Sequence, residues 1–316
     1  MRLDGNTRVY IAGCGGMLGD AVHRLFSTRC AVRATDIDVN EPWLEHADLR
    51  DHAAMRVEIE SYRPDVIVNL GALTDLEECE RGPDNAWATN AYAAEFLGGL
   101  ARERDIPYVF ISTAGIFDGV KDFYVDEDQP QPLSVYGKSK HHAEVALLRS
   151  VPKQLVLRAG WMMGAGPRKD KKFVNKIYRQ IVAGSRELRV VDDKLGTPTY
   201  THDFARGMLH LIENDQYGLF NQVGGGDASR YDVAVEFVRL LGLQERIRVV
   251  RVDSQEFSQA YFAPRPRSER LINRRLNELG LNLMRDWRVC LEEYVQQEFI
   301  ADLQSQAVSE WTSQRD

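Results

Sequence analysis

A chain of 316 residues, 44% hydrophobic and 28% charged, has the composition of an ordinary globular protein with room for a large core. A formal net charge of −7 without a basic stripe argues against nucleic acid as the main partner, and no run of about 20 apolar residues or secretory leader points to a membrane. Four scattered cysteines, Cys14, Cys30, Cys79 and Cys290, lack metal-ligand spacing, so a reducing cytoplasm and no bound metal are expected.

The apolar run Arg8–Ala12 predicts a strand, and Met17, Leu18, Ala21, Val22, Leu25 and Phe26 recur with helical spacing after it. Between them lies Gly13-Cys14-Gly15-Gly16-Met17-Leu18-Gly19, whose glycines are spaced one position differently from the commoner dinucleotide fingerprint. Gly13 permits a tight turn, Gly16 lets backbone amides approach a pyrophosphate, and Gly19 lets the helix pack closely on the strand.

A second strand, Ala31–Asp36, ends in a carboxylate placed to accept the adenosine ribose 2′-hydroxyl and repel a 2′-phosphate. Asp36 therefore favours NAD(H), with NADP(H) as the alternative, although it serves equally as a turn residue in the cluster Asp36–Asn40. Arg33 has the opposite strand parity and does not argue for NADP(H).

Helical stretches near 51–62 and 83–104 alternate with strands at 65–70 and 108–112, and each strand is continuously apolar, as helix-covered parallel sheets require. The fold class is α/β, a doubly wound parallel sheet of the Rossmann type with a smaller C-terminal substrate-binding portion. Residues 1–160 form the expected dinucleotide-binding domain, with later sheet pieces from about 195–225. Residues 161–300 are mainly substrate-binding and 301–316 a tail. Within the second part, helices are expected near 173–182, 202–212 and 231–241. The basic cluster Arg168-Lys169-Asp170-Lys171-Lys172 reads as a solvated helix start, with a diphosphate-attracting rim as the alternative.

Ligands of such sheets bind beyond the carboxyl ends of the strands. There the chain offers Gly71-Ala72-Leu73-Thr74 and then Ser112-Thr113, of which Thr113 is favoured as a hydroxyl that contacts a substrate carbonyl. Tyr136 and Lys140 follow, four residues apart, so a helix puts phenol and ammonium on one face. A cation beside the phenol is expected to lower its pKa, which suits proton delivery to a carbonyl oxygen during hydride transfer.

Several of these stretches carry a family resemblance. Gly13 to Gly19, Val68 to Thr74, Asn90, Ser112-Thr113 with Phe117-Asp118-Gly119, Pro132 to Lys140, Arg158 to Gly164, Gly196-Thr197-Pro198-Thr199-Tyr200 and Arg265-Pro266 together resemble the extended short-chain dehydrogenase/reductase superfamily, and within it the dTDP-4-dehydrorhamnose reductase family. The resemblance implies a catalytic triad of Thr113, Tyr136 and Lys140, with Lys140 also holding the nicotinamide ribose. It places Thr74, Trp161 and Arg265 near a nucleotide-sugar substrate. The expected cofactor-binding residues are Gly13, Gly16, Met17, Leu18, Gly19, Asp36, Asp48, Leu49, Leu70, Gly71, Ala72, Tyr136 and Lys140.

The implied activity is NAD(P)H-dependent reduction of a nucleoside-diphosphate 4-keto-6-deoxy sugar, and a homodimer is compatible with it. Alternatives are a nucleotide-sugar epimerase with tightly held NAD and a non-catalytic regulatory subunit of the same fold. The chain departs from the family where Thr-Asp-Tyr becomes Thr113-Ala114-Gly115, and where a Tyr after Trp-Val gives way to Met162-Met163. Both departures are expected to border the sugar pocket and change its specificity.

Overall fold

The computed structural model describes residues 1–304. Strands β1 (Arg8–Ala12), β2 (Ala31–Asp36), β3 (Leu44–His46), β4 (Val66–Asn69), β5 (Tyr108–Thr113) and β6 (Gln154–Ala159) join a late strand, Gly218–Asn221, in one seven-stranded sheet. From one edge the order is Gly218–Asn221, β6, β5, β4, β1, β2, β3, and every neighbouring pair is parallel. Chain order reverses between β1 and β4, and the carboxyl ends there define the ligand crevice.

The period of two in β1 divides its side chains between two cores. Val9 and Ile11 pack with Val22, Phe26, Phe204 and Met208 on one face. Tyr10 and Ala12 pack with Leu97, Tyr108, Phe110 and Leu147 on the other. All four β1 residues are fully buried, as the unbroken apolar run predicts.

A further core joins Met163, Ile177, Tyr178, Tyr200, Phe237, Leu291, Tyr294 and Phe299. The helices Phe173–Val182, Thr201–Glu213 and Arg230–Leu240 lie within a residue or so of their expected spans. Thr201–Glu213, however, sends Phe204 and Met208 into the sheet's own core, so the later part of the chain is woven back onto the first.

Four expectations need correction. Strand β3 escapes a hydropathy reading because it is a three-residue edge strand whose Glu45 and His46 are exposed. The single helix expected over 83–104 is instead Pro83–Trp87, a π-helical turn Ala88–Tyr92 and Ala93–Glu103, preceded by a helix Leu76–Arg81 that Asp75 caps. The tail expected from residue 301 starts inside a helix that continues through 304, and residues 305–316 lie outside the described residues.

The fourth correction concerns the basic cluster at 168–172, which is solvated only in part, at Arg168 and Lys171. Lys169 is buried and ion-paired with Asp20 at 3.4 Å and Glu41 at 3.0 Å, while buried Asp170 accepts from the Tyr294 hydroxyl. Its partners are distant in the chain, so local sequence reads as solvated what long-range pairing buries. All four cysteines are free and buried, and no helix among the described residues is long and apolar enough to cross a membrane.

Candidate active site

The glycine turn after β1 forms a backbone cradle. Gly13 has φ +72°, and a Cβ there would overlap the Gly71 backbone beyond β4. A Cβ on Gly19 would overlap the Cys14 carbonyl, so the helix Met17–Phe26 lies tight against its own turn. Gly16 is exposed with open space above it, at the helix N-terminus where amides of the first turn lack intrahelical partners. A Cβ on Gly71 would collide with the Leu49 side chain, which brings the expected Leu49, Leu70, Gly71 and Ala72 together at the crevice floor.

Asp36 meets the same turn: its carboxylate accepts the Gly15 N–H at 2.8 Å and the Asp38 N–H at 3.0 Å. It is thus a turn residue in fact, with acceptor capacity left for a ligand. Arg33 points to Glu45, Glu58 and the Tyr62 ring, away from the turn. Asp48 is clamped by Arg50, which also donates to Asn85 and holds the Asp48 carboxyl below its usual range.

Thr113 closes β5, and its hydroxyl accepts the Gly115 N–H at 3.1 Å to start the turn Ala114–Ile116. The helix Val135–Ser150 begins opposite, capped by the Ser134 hydroxyl on the Gly137 N–H. A Cβ on Gly137 would overlap the Gly115 carbonyl, so that helix abuts the turn and brings Tyr136 within hydrogen-bonding reach of Thr113. Ser112 is buried, and its hydroxyl has no hydrogen-bond partner among the described residues.

The expectation that Lys140 lowers the phenol pKa is not met. Burial pushes Tyr136 up to about 12, the Thr113 hydrogen bond draws it down, and the Cys79 and Glu269 charges push it up. Lys140 is itself buried, its ammonium 4.0 Å from the centre of the Phe110 ring, and burial lowers its pKa to about 7 against the pull of Glu144. Burial is the largest influence on each group, and neither acts on the other's pKa.

Two anchors fix this helix. Arg158 on β6 forks onto Glu144 at 3.0 and 2.9 Å, with both side chains almost fully buried, and donates to the Asp126 carbonyl. Asn90, in the π-helical turn, clasps both the N–H and the carbonyl of Leu73 and donates to the Ser139 hydroxyl at 3.2 Å. The loop after β4 is thereby tied to the Tyr136 helix. A polar residue within an alanine-rich helix was the available signal for Asn90.

The expected substrate residues lie beside these groups, each with a charged companion that sequence reading missed. Thr74 accepts from the Lys172 ammonium at 2.9 Å. Arg265 forks onto Glu77 at 2.7 and 2.9 Å; burial raises the Glu77 pKa, but Arg265 overrides it. Trp161 Nε1 donates to Glu269 at 2.7 Å, and the Arg230 guanidinium lies 3.6 Å from the Trp161 ring centre. Gly196 lets the indole lie on its backbone, where a Cβ would collide with it.

The departures at 114–115 and 162–163 are not a set. Ala114 and Met163 are buried in separate apolar clusters, and Met162 packs against the sheet core. Gly115 alone of the four adjoins the reacting groups: a Cβ there would stand 3.5 Å from the Thr113 hydroxyl.

The RmlD substrate binding domain family model matches residues 7–300. A dTDP-4-keto-6-deoxy-D-glucose reductase of Streptomyces niveus is 31% identical over 294 residues, covering 90% of this chain and 96% of that one. A crystal structure of a dTDP-4-dehydrorhamnose reductase from Clostridium acetobutylicum superimposes with a TM-score of 0.83 at 31% identity, over 92% of this chain and 99% of its own. A Bacillus anthracis dTDP-4-dehydrorhamnose reductase in complex with NADP shares the fold, with a TM-score of 0.84 at 24% identity over 92% of this chain and 99% of that one.

Proposed function

The chain belongs to the RmlD substrate binding domain family, and from that premise we propose that it is an NAD(P)H-dependent reductase of a nucleoside-diphosphate 4-keto-6-deoxy sugar, acting in the cytoplasm. The carrying observation is the close approach of the Tyr136 helix to the turn after Thr113, whose hydroxyl acts on the Tyr136 phenol, with Lys140 one helical turn further on.

The residues present fit a dinucleotide. Gly13, Gly16 and Gly71 leave backbone where side chains would obstruct, the first-turn amides of Met17 and Leu18 suit a pyrophosphate, and Asp36 keeps acceptor capacity for a ribose hydroxyl. When bound, NAD(P)H supplies the hydride that reduces the sugar carbonyl carbon. Tyr136 supplies the proton: with its pKa held near 12, the phenol stays protonated across neutral pH and acts as the general acid on the carbonyl oxygen.

Thr113 orients that phenol and offers a second hydrogen bond to the same oxygen. Lys140, almost fully enclosed, would hold the nicotinamide ribose when the cofactor is bound. Trp161, Thr74 and Arg265 line the sugar-nucleotide side, where Lys172 and Arg230 add positive charge that suits a diphosphate. The homologues named above are reductases of dTDP-linked keto sugars, which supports the same substrate class here.

The test is a panel of nucleoside-diphospho-4-keto-6-deoxy sugars incubated with purified protein and either reduced cofactor, followed by nicotinamide absorbance. Oxidation dependent on a 4-keto sugar is expected. A panel without oxidation, from protein that still binds the cofactor, would overturn the reading.

A further inference from the structure

Glu269 lies on a two-residue strand, Ser268–Glu269, held in parallel register against Leu195–Gly196. That register sets its carboxylate under the edge of Trp161, whose Nε1 donates to Oε2 at 2.7 Å. The second oxygen, Oε1, accepts no hydrogen bond among the described residues and stands 3.4 Å from where a Cβ on Gly115 would be. Gly115 follows Thr113 by two residues and packs against the start of the Tyr136 helix, so Oε1 borders the space in which a carbonyl meets Thr113 and Tyr136.

Oε1 is not among the buried atoms that lack a partner, so water can reach it, and a ligand hydroxyl can take that water's place. A residue larger than glycine at 115 would occupy this space, whereas Gly115 leaves Oε1 facing it. Arg230, stacked over Trp161, already supplies positive charge near Glu269 without reaching it in a direct ion pair. With a cation already nearby, a neutral donor is the partner that suits Oε1. On a 4-keto sugar, the neutral donor closest to the reacting oxygen is a hydroxyl on an adjacent ring carbon.

We propose that Glu269 is a specificity-determining residue that accepts a hydrogen bond from the ring hydroxyl next to the reacting carbonyl, in the space that Gly115 leaves open. This rests on the reductase reading above. It also changes what the departure at 115 means: Gly115 does not merely remove a polar partner, because it makes room for one delivered from the far end of the chain. Glu269 selects for sugars hydroxylated beside the carbonyl and discriminates against their deoxy counterparts.

The test compares dTDP-4-keto-6-deoxy-D-glucose with its 3-deoxy analogue on the wild type, Glu269→Ala and Glu269→Gln, by kcat/KM for cofactor oxidation. A hydrogen bond to a charged group is worth about 1.5–3 kcal/mol, so the wild type is expected to favour the hydroxylated sugar by roughly 10- to 150-fold. In Glu269→Ala that preference collapses to within about threefold of unity, chiefly through loss on the hydroxylated sugar. Glu269→Gln, which keeps the side-chain size and an acceptor for Trp161, falls between the two.

Dinucleotide titration of each variant confirms an intact cradle, and Glu269→Gln decides the matter should the alanine variant fail to bind cofactor. Wild-type discrimination retained in either cofactor-binding variant, or a wild type indifferent to the hydroxyl, overturns the assignment. A wild type that turns over neither sugar, nor any other 4-keto sugar, fails at the earlier step and overturns the reductase reading itself.

Discussion

Lys140 holds its ammonium 4.0 Å from the centre of the Phe110 ring, inside the sheet–helix interface rather than at its surface. A cation–π contact stabilises such a charge by about 2 kcal/mol when desolvated, which does not offset full burial. Hence its pKa falls from 10.5 to about 7. Between those values the unfolded chain binds the proton and the fold does not, so stability rises with pH across this window, and the penalty is fully present below it. Lys140→Met is therefore expected to melt at a higher temperature than the wild type at pH 7, with a gap worth a few kcal/mol. The gap narrows as pH approaches 10. Thermal melts across this range check it, and a gap that widens with pH would contradict the burial argument.

Tyr136→Phe removes the proton donor and little else. Turnover should fall by about 10²–10⁴-fold, the usual worth of general acid catalysis, while dinucleotide affinity stays nearly unchanged. Thr113→Val should lower kcat for a separate reason, since it deletes the hydroxyl that orients the phenol and draws its pKa down. Thr113→Ser should restore most of it. Near-full activity of the Phe variant on the natural substrate would refute Tyr136 as the acid.

Asp36 is expected to make NADH bind more tightly than NADPH. A 2′-phosphate set against this carboxylate meets repulsion and forfeits the ribose hydrogen bond. The carboxylate also holds the Gly15 amide, so Asp36→Ala should weaken both cofactors and narrow the ratio between them. Fluorescence titration of each reduced cofactor measures this directly. Tighter NADPH binding by the wild type would defeat the argument.

What the sequence revealed and what it hid divide along a physical line. Glycines 13, 16 and 19, the apolar strands and the Tyr136–Lys140 spacing are local patterns, and their meaning is set by neighbours within a few residues. Lys169, Asn90 and Glu269 owe their roles to partners far along the chain, such as Asp20 and Glu41 for Lys169 and Trp161 for Glu269. Such pairings leave no periodic trace. The sign of the Tyr136 shift is hidden for a related reason: spacing puts two residues on one helix face, but only the packed fold shows that burial dominates. Likewise Ala114 and Met163, adjacent in sequence to pocket residues, turn inward to apolar cores.

The ion pair that anchors the catalytic helix is the place where stability and activity should fail together. Arg158 and Glu144 are 3% and 2% exposed, so neither charge can turn to water if its partner is lost. Removing one side of such a pair costs about 3–5 kcal/mol, because the remaining charge stays buried and uncompensated. Glu144→Ala should therefore lower unfolding free energy by that amount in urea titrations. It should also slow turnover, since Glu144 lies one turn beyond Lys140 on the same helix. The double variant Glu144→Leu/Arg158→Met removes both charges and should recover most of the stability, as apolar replacement of a buried pair commonly does. Its catalytic recovery should be smaller, because Arg158 also holds the Asp126 carbonyl and so ties the helix to a neighbouring loop. If Glu144→Ala cost no more than about 1 kcal/mol, the value typical of a surface pair, the pair would not be the anchor its geometry indicates.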